Sequence, residues 1–170
     1  PYTTLFRSRV PERPLNLVEK VFFMRNVSVF EKTNLGALAL MTDLMDEIRV
    51  PAGHLFFSVG EKSSFTVFAL EGRITCTTAD GRTFEYGECT GVGGIESLAN
   101  RDRWYSARAK TPVVALMGTA DNLVALMEDN VELGNDFIKM LATGLQGLLA
   151  MKAAKGQATF EAKREVSNLG

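Results

Sequence analysis

The residues that could do chemistry are few and lie close together. Gly91, Gly93 and Gly94 precede Ile95-Glu96-Ser97-Leu98-Ala99, enough for one short helix, and Arg103, Trp104, Tyr105 and Ser106 follow. Glycines permit close backbone approach, and the first turn of a helix leaves amide donors without internal partners, so this run suits an anion. It is not a P-loop, because no GxxxxGK[ST] occurs, and the Gly91-x-Gly93 pair lacks the βαβ setting of a dinucleotide fingerprint. His54 is the one histidine, which excludes an HExxH helix, a histidine-rich zinc site and the metal-binding cupin sites. No GxSxG elbow accompanies it, and His54 between Gly53 and Leu55 reads as a turn residue. The carboxylates Asp121, Glu128, Asp129 and Glu132 show no paired environment that would split their pKa values, and read as a solvated helix face. No catalytic residue and no metal ligand emerges, so the chain reads as something other than an enzyme.

Composition narrows the class further. The 170 residues suit one domain, and 46% apolar with 23% charged residues is ordinary for a globular protein. A net charge of −1 argues against a surface built wholly for nucleic acid. No apolar run is long enough for a membrane span. The two cysteines, Cys76 and Cys89, form no CxxC, which fits a reducing cytoplasm; Cys76 is expected to be buried and inert. Residues 1–8 translate a common short-read sequencing adapter and are expected to be an artefact of gene assembly, not part of the fold. Residues 155–170 form a polar tail that reads as truncated.

Two helices are expected first. Leu15, Val18, Val21 and Phe22 have helical spacing, and Asn34 caps a second helix that runs to Met45. From Asp46 the period changes to two. Strands are expected over 46–50, 55–59, 65–69, 73–78, 82–86, 104–109 and 113–118, with Asp80-Gly81 as a hairpin turn. Helical pattern resumes at Asp121 as N-cap. A longer helix from Asn130 toward Ala154 carries Phe137, Leu141, Leu145 and Leu148 as one stripe. Short strands with a turn every eight to twelve residues argue for an antiparallel sandwich or barrel.

The ordered set of these pieces resembles the cyclic nucleotide-binding domain, the family of the catabolite activator regulators and of the regulatory subunits of cyclic-nucleotide-dependent kinases. Val27-Ser28-Val29-Phe30 is similar to the family's opening motif, Pro51-Ala52-Gly53 to its PAG turn, Glu71-Gly72-Arg73-Ile74 to its next glycine step, and Arg103 to Ala109 to its "RsAtvrA" strand. The resemblance spans roughly residues 15–154. It implies a mainly β fold, an antiparallel β-roll of jelly-roll type with two N-terminal helices, a short cassette helix and a long C-terminal helix.

What the resemblance implies for function is a ligand-sensing regulatory domain that binds a cAMP- or cGMP-like cyclic nucleotide and transmits binding through its C-terminal helices. The implied ligand residues are Gly93, Gly94, Ile95, Glu96, Arg103, Trp104 and Ser106, with Arg103 at the phosphate-binding position. Two departures stand out. Gly94 occupies the place of the family's ribose-binding glutamate, with Glu96 two residues on. Trp104 and Tyr105 stand where small residues are usual, and one of the two rings must point inward, either to stack on a purine or to plug the pocket. Arg103 itself reads either as a phosphate ligand or as a strand arginine paired with Glu96 or Asp102. A degenerate fold acting as a protein-interaction or dimerisation module, without nucleotide, is therefore the second reading. The stripe Phe137, Leu141, Leu145, Leu148 is the expected homodimer surface. No cofactor is expected beyond the cyclic nucleotide.

Overall fold

A computed structural model describes residues 10–27, 30–139 and 142. The adapter-like segment, Ser28-Val29, the stripe residues Leu141, Leu145 and Leu148, and the polar tail lie outside the described residues.

Helix α1 (Leu17–Arg25) starts from a capping box: Asn16 accepts from the Glu19 amide, and Glu19 accepts from the Asn16 amide. Helix α2 (Leu35–Asp43) is capped by Asn34, whose side chain accepts from the Ala37 amide at 2.7 Å, as expected from sequence. Eight strands follow: β1 (Asp46–Val50), β2 (Leu55–Phe57), β3 (Phe65–Glu71), β4 (Ile74–Thr78), β5 (Thr83–Tyr86), β6 (Thr90–Val92), then a short α3 (Gly94–Leu98), β7 (Tyr105–Ala109) and β8 (Val113–Thr119). Helix α4 (Ala120–Asp129) is capped by Thr119, which accepts from the Asn122 amide; this corrects the expectation of Asp121, which lies inside the first turn. Residues 131–139 are helical.

The strands form two four-stranded antiparallel sheets, β1-β8-β3-β6 and β2-β7-β4-β5. Their facing sides enclose one core, with Phe57, Val67, Ile74, Cys76, Tyr105, Ala107 and Ala115. The other side of the first sheet packs Phe68, Leu70 and Leu116 on Met24, Phe30, Leu38, Met41, Leu133 and Phe137 of the helices. The expected antiparallel β-roll with flanking helices is the fold observed. Strand β6 was not expected, since Gly87 to Asn100 shows glycines instead of alternation; Val67, Phe68 and Ala69 of β3 recruit it by pairing with Val92, Gly91 and Thr90. No helix among the described residues is long and apolar enough to cross a membrane.

Phe137 is buried, with its ring 5.5 Å from that of Phe30. It belongs to the protein's own core and leaves no free face at the start of the expected dimer stripe. The 131–139 helix is tied down by Asp136, which accepts from Thr33 Oγ1 at 2.5 Å within a buried contact, and by Glu132, which accepts from Asn34 Nδ2 at 2.5 Å.

Candidate functional site

Alternation along β7 sorts the side chains. Ala107 and Ala109 face the inter-sheet core, so Tyr105 does too, while Arg108 and Ser106 face outward. The same parity carries back across Arg103 and Trp104. Arg103 points inward with 2% of its surface exposed, and Trp104 points out with 51% exposed. The indole stacks on Phe84, centroids 5.6 Å apart and planes 17° from parallel. The inward ring is Tyr105, not Trp104.

Arg103 is a clamp between two carbonyls. Its Nη1 donates to the Gly93 carbonyl and its Nη2 to the Phe65 carbonyl, each at 2.6 Å. The Phe57 ring lies 4.0 Å and the Phe65 ring 4.9 Å from the guanidinium carbon, a cation–π setting. Buried Glu96 stands 3.9 Å from Nη1. Burial lowers the pKa of Arg103, with the Glu96 carboxylate opposing the shift. The backbone is held as well: the Arg103 amide donates to the Glu61 carbonyl, and the Gly60 amide donates to the Arg103 carbonyl. Nε is left without a hydrogen-bond partner.

The cassette amide is also taken. Gly93 caps α3 in a left-handed conformation, φ +77°, and its N–H donates to the Tyr105 phenol oxygen at 2.9 Å. A Cβ there would stand 2.3 Å from Arg103 Nη1, so glycine is required both by φ and by space. Ser97 Oγ lies 2.7 Å from each of the Gly93 carbonyl, the Phe65 carbonyl and Ser63 Oγ. The Tyr105 ring packs edge-on to Phe57 and Phe84, and burial pushes its phenol pKa well above the ordinary value. Burial likewise pushes the Cys76 thiol up to about 12, in keeping with an inert core cysteine.

Of the residues singled out in the sequence, Gly93, Glu96 and Arg103 are brought together, with Gly94 as the first residue of α3. Ile95 is exposed on the far side of that turn. Ser106 accepts from the Val59 amide at 2.9 Å and lines an outer groove of about 460 Å³ with Thr75, Thr77 and Arg108, away from Arg103. Sequence reasoning did not assign Phe57, Phe65 or Ser97 to the site. For Tyr105 the signal was present: Ala107 and Ala109 alternating with Arg108 fix the parity of the strand. His54 sits in a turn with its amide donating to the Pro51 carbonyl. No cluster of metal-ligating side chains occurs among the described residues.

Solved structures with this architecture share little sequence with it. The sensor domain of the transcriptional regulator DNR from Pseudomonas aeruginosa matches with TM-score 0.65 at 15% identity, covering 78% of this chain and 93% of that one. The catabolite activator protein of Thermus thermophilus matches with TM-score 0.63 at 18% identity, over 70% of this chain and 58% of that one. A mutant regulatory subunit of a cAMP-independent protein kinase A from Trypanosoma brucei, bound to cAMP in its A site, matches with TM-score 0.62 at 21% identity, over 76% and 48%. This is the cyclic nucleotide-binding fold. No family model and no curated protein sequence matches the chain. The cyclic nucleotide-binding fold here spans only about half the length of the catabolite activator protein and of the kinase subunit.

Proposed function

We propose that this chain is a non-enzymatic regulatory module that uses the cyclic nucleotide-binding fold with its cassette closed on itself, acting through protein contacts without a bound nucleotide. The observation that carries this reading is the Tyr105 phenol seated on the Gly93 amide beside a fully buried Arg103. A phosphodiester at the cassette needs the amide and the guanidinium together. Here each guanidinium amino group spends one hydrogen on a carbonyl, and the side chain is buried. Turning the guanidinium away from those carbonyls to meet an anion would release two hydrogen bonds from a charged donor, at about 3 kcal/mol or more, a factor of at least about 100 in dissociation constant. Gly94 adds nothing for the ribose hydroxyl.

The second reading, a cAMP or cGMP sensor at Gly93, Gly94, Ile95, Glu96, Arg103, Trp104 and Ser106, is supported by the fold it shares with the cAMP-bound kinase subunit and by Arg103 lying beside α3. The C-terminal helices would then carry the signal.

Thermal unfolding of the full chain with cAMP and cGMP separates the two. A ligand at one hundred times its dissociation constant adds about 2.7 kcal/mol, roughly 5–10 °C for a chain of this size. The closed-cassette reading expects no shift from either nucleotide at millimolar concentration. A shift of that size that Arg103→Ala abolishes establishes the sensor reading instead.

A further inference from the structure

Both N-terminal helices expose large apolar side chains as well as burying them. On α2, Ala37, Leu38, Met41 and Thr42 are buried, yet Leu35, Leu40 and Leu44 beside them are exposed, and Asp43 is the only charge in the helix. On α1, Phe23 and Met24 are buried while Leu17, Val18 and Phe22 are exposed. These six exposed side chains keep between 43% and 77% of their surface. Leu17 of α1 and Gly36, Ala39, Leu40 and Asp43 of α2 line one open groove of about 530 Å³, together with Asn34 and Asn130. Helix α2, apolar all round but for Asp43, has the pattern of a helix covered on both sides.

We infer that the α1–α2 face binds a second copy of this chain. The inference deepens the proposed function, because a module that works through protein contacts needs a surface for them. Summed over the two adjacent helices, the six side chains expose roughly 600 Å² of apolar surface, against roughly 300–600 Å² for the largest patch of a typical monomer. A two-fold copy doubles that to roughly 1,200 Å², the lower bound for a specific stable interface. The flanking charges have both signs. Asp43 itself lines the groove, Arg25 ends α1, and Glu31 and Lys32 stand before α2. Such a rim matches itself and offers no single-signed field to a nucleic acid or an acidic peptide. Gly36 and Ala39 on the groove floor let the backbone of a partner helix approach closely.

Sedimentation of the full chain tests this. Wild type is expected to sediment as a dimer in the micromolar range. Leu40→Glu, and separately Val18→Glu, should weaken the dimer about a hundredfold or more, since two-fold symmetry buries each new carboxylate twice. Both positions are exposed, so the circular dichroism spectrum should stay as in wild type, and the melting temperature should fall only by what the lost association contributed. Leu145→Glu, on the C-terminal stripe, should leave the dimer intact. A wild type that stays monomeric up to about 100 μM overturns the inference, and so does a dimer that resists both glutamates or yields only to Leu145→Glu. A lower melting temperature for Leu40→Glu without any dimer assigns the face to this chain's own residues and also overturns it. None of these readouts involves nucleotide, so they fail or succeed separately from the closed-cassette reading.

Discussion

The Tyr105 phenol oxygen accepts the Gly93 amide hydrogen at 2.9 Å, and in doing so takes the donor that a cassette glycine would offer to an anion. The carbonyl of the same glycine accepts from Arg103. One residue thus has both backbone groups satisfied from within the protein.

Tyr105→Phe keeps the ring and deletes only the acceptor. The Gly93 amide is left buried and unpaired, which should cost about 1–3 kcal/mol. Tyr105→Ala also removes the ring and should cost about 3–5 kcal/mol. Urea unfolding of the three proteins gives both differences.

Arg103 is held as a strut between α3 and β3, so removing it should injure the fold even when no nucleotide is present. Arg103→Met leaves the Phe65 carbonyl and the Glu96 carboxylate without their cation and should destabilise by about 3–5 kcal/mol. An arginine kept only for an absent ligand would cost little on removal, and equilibrium unfolding in ligand-free buffer distinguishes the two.

The two cassette glycines should behave oppositely. Gly93→Ala meets Arg103 Nη1 and a positive φ, and the backbone strain alone costs about 1–3 kcal/mol. Gly94 has no such φ, and a Cβ there meets only the Thr66 side chain, Cγ2 at 3.4 Å and Oγ1 at 3.6 Å. Gly94→Ala should stay within about 0.5 kcal/mol of wild type. Differential scanning calorimetry of both variants checks the contrast.

Stability should fall on the alkaline side. Burial raises the Cys76 thiol pKa to about 12 in the folded protein. The folded state therefore keeps a proton that the unfolded chain loses from about pH 9 upward. The contribution is whole below that pH and shrinks as pH rises toward 12, by up to about 1.4 kcal/mol per pH unit for one group. The buried Tyr105 phenol, also raised, adds to the loss above about pH 10. Unfolding free energies between pH 8 and pH 11 should show this decline, and Cys76→Ala should flatten its first part.

The order of elements was legible because many had a local cause: Asn34 as a cap, Asp80-Gly81 as a hairpin, Ile48 and Val50 alternating with Arg49 in β1. The cap at Thr119 was missed because Asp121 has the same chemistry two residues later, and only the end of β8 decides between them. Strand β6 was missed because it is a strand only through its pairing with β3. The meeting of Gly93, Glu96 and Arg103 was legible, but Ile95, Trp104 and Ser106 face elsewhere, and the state of the cluster was not legible. Whether a buried guanidinium faces an open pocket or two carbonyls depends on Phe65 and Gly93, which approach it from β3 and α3 and have no sequence relation to Arg103.

Hydrogen exchange at the Gly93 amide, followed by NMR on the full chain, tests the closed cassette most directly. The account predicts strong protection without ligand, unchanged by millimolar cAMP or cGMP and lost in Tyr105→Phe. A Gly93 amide that exchanges freely until a cyclic nucleotide is added, and then becomes protected, would contradict it.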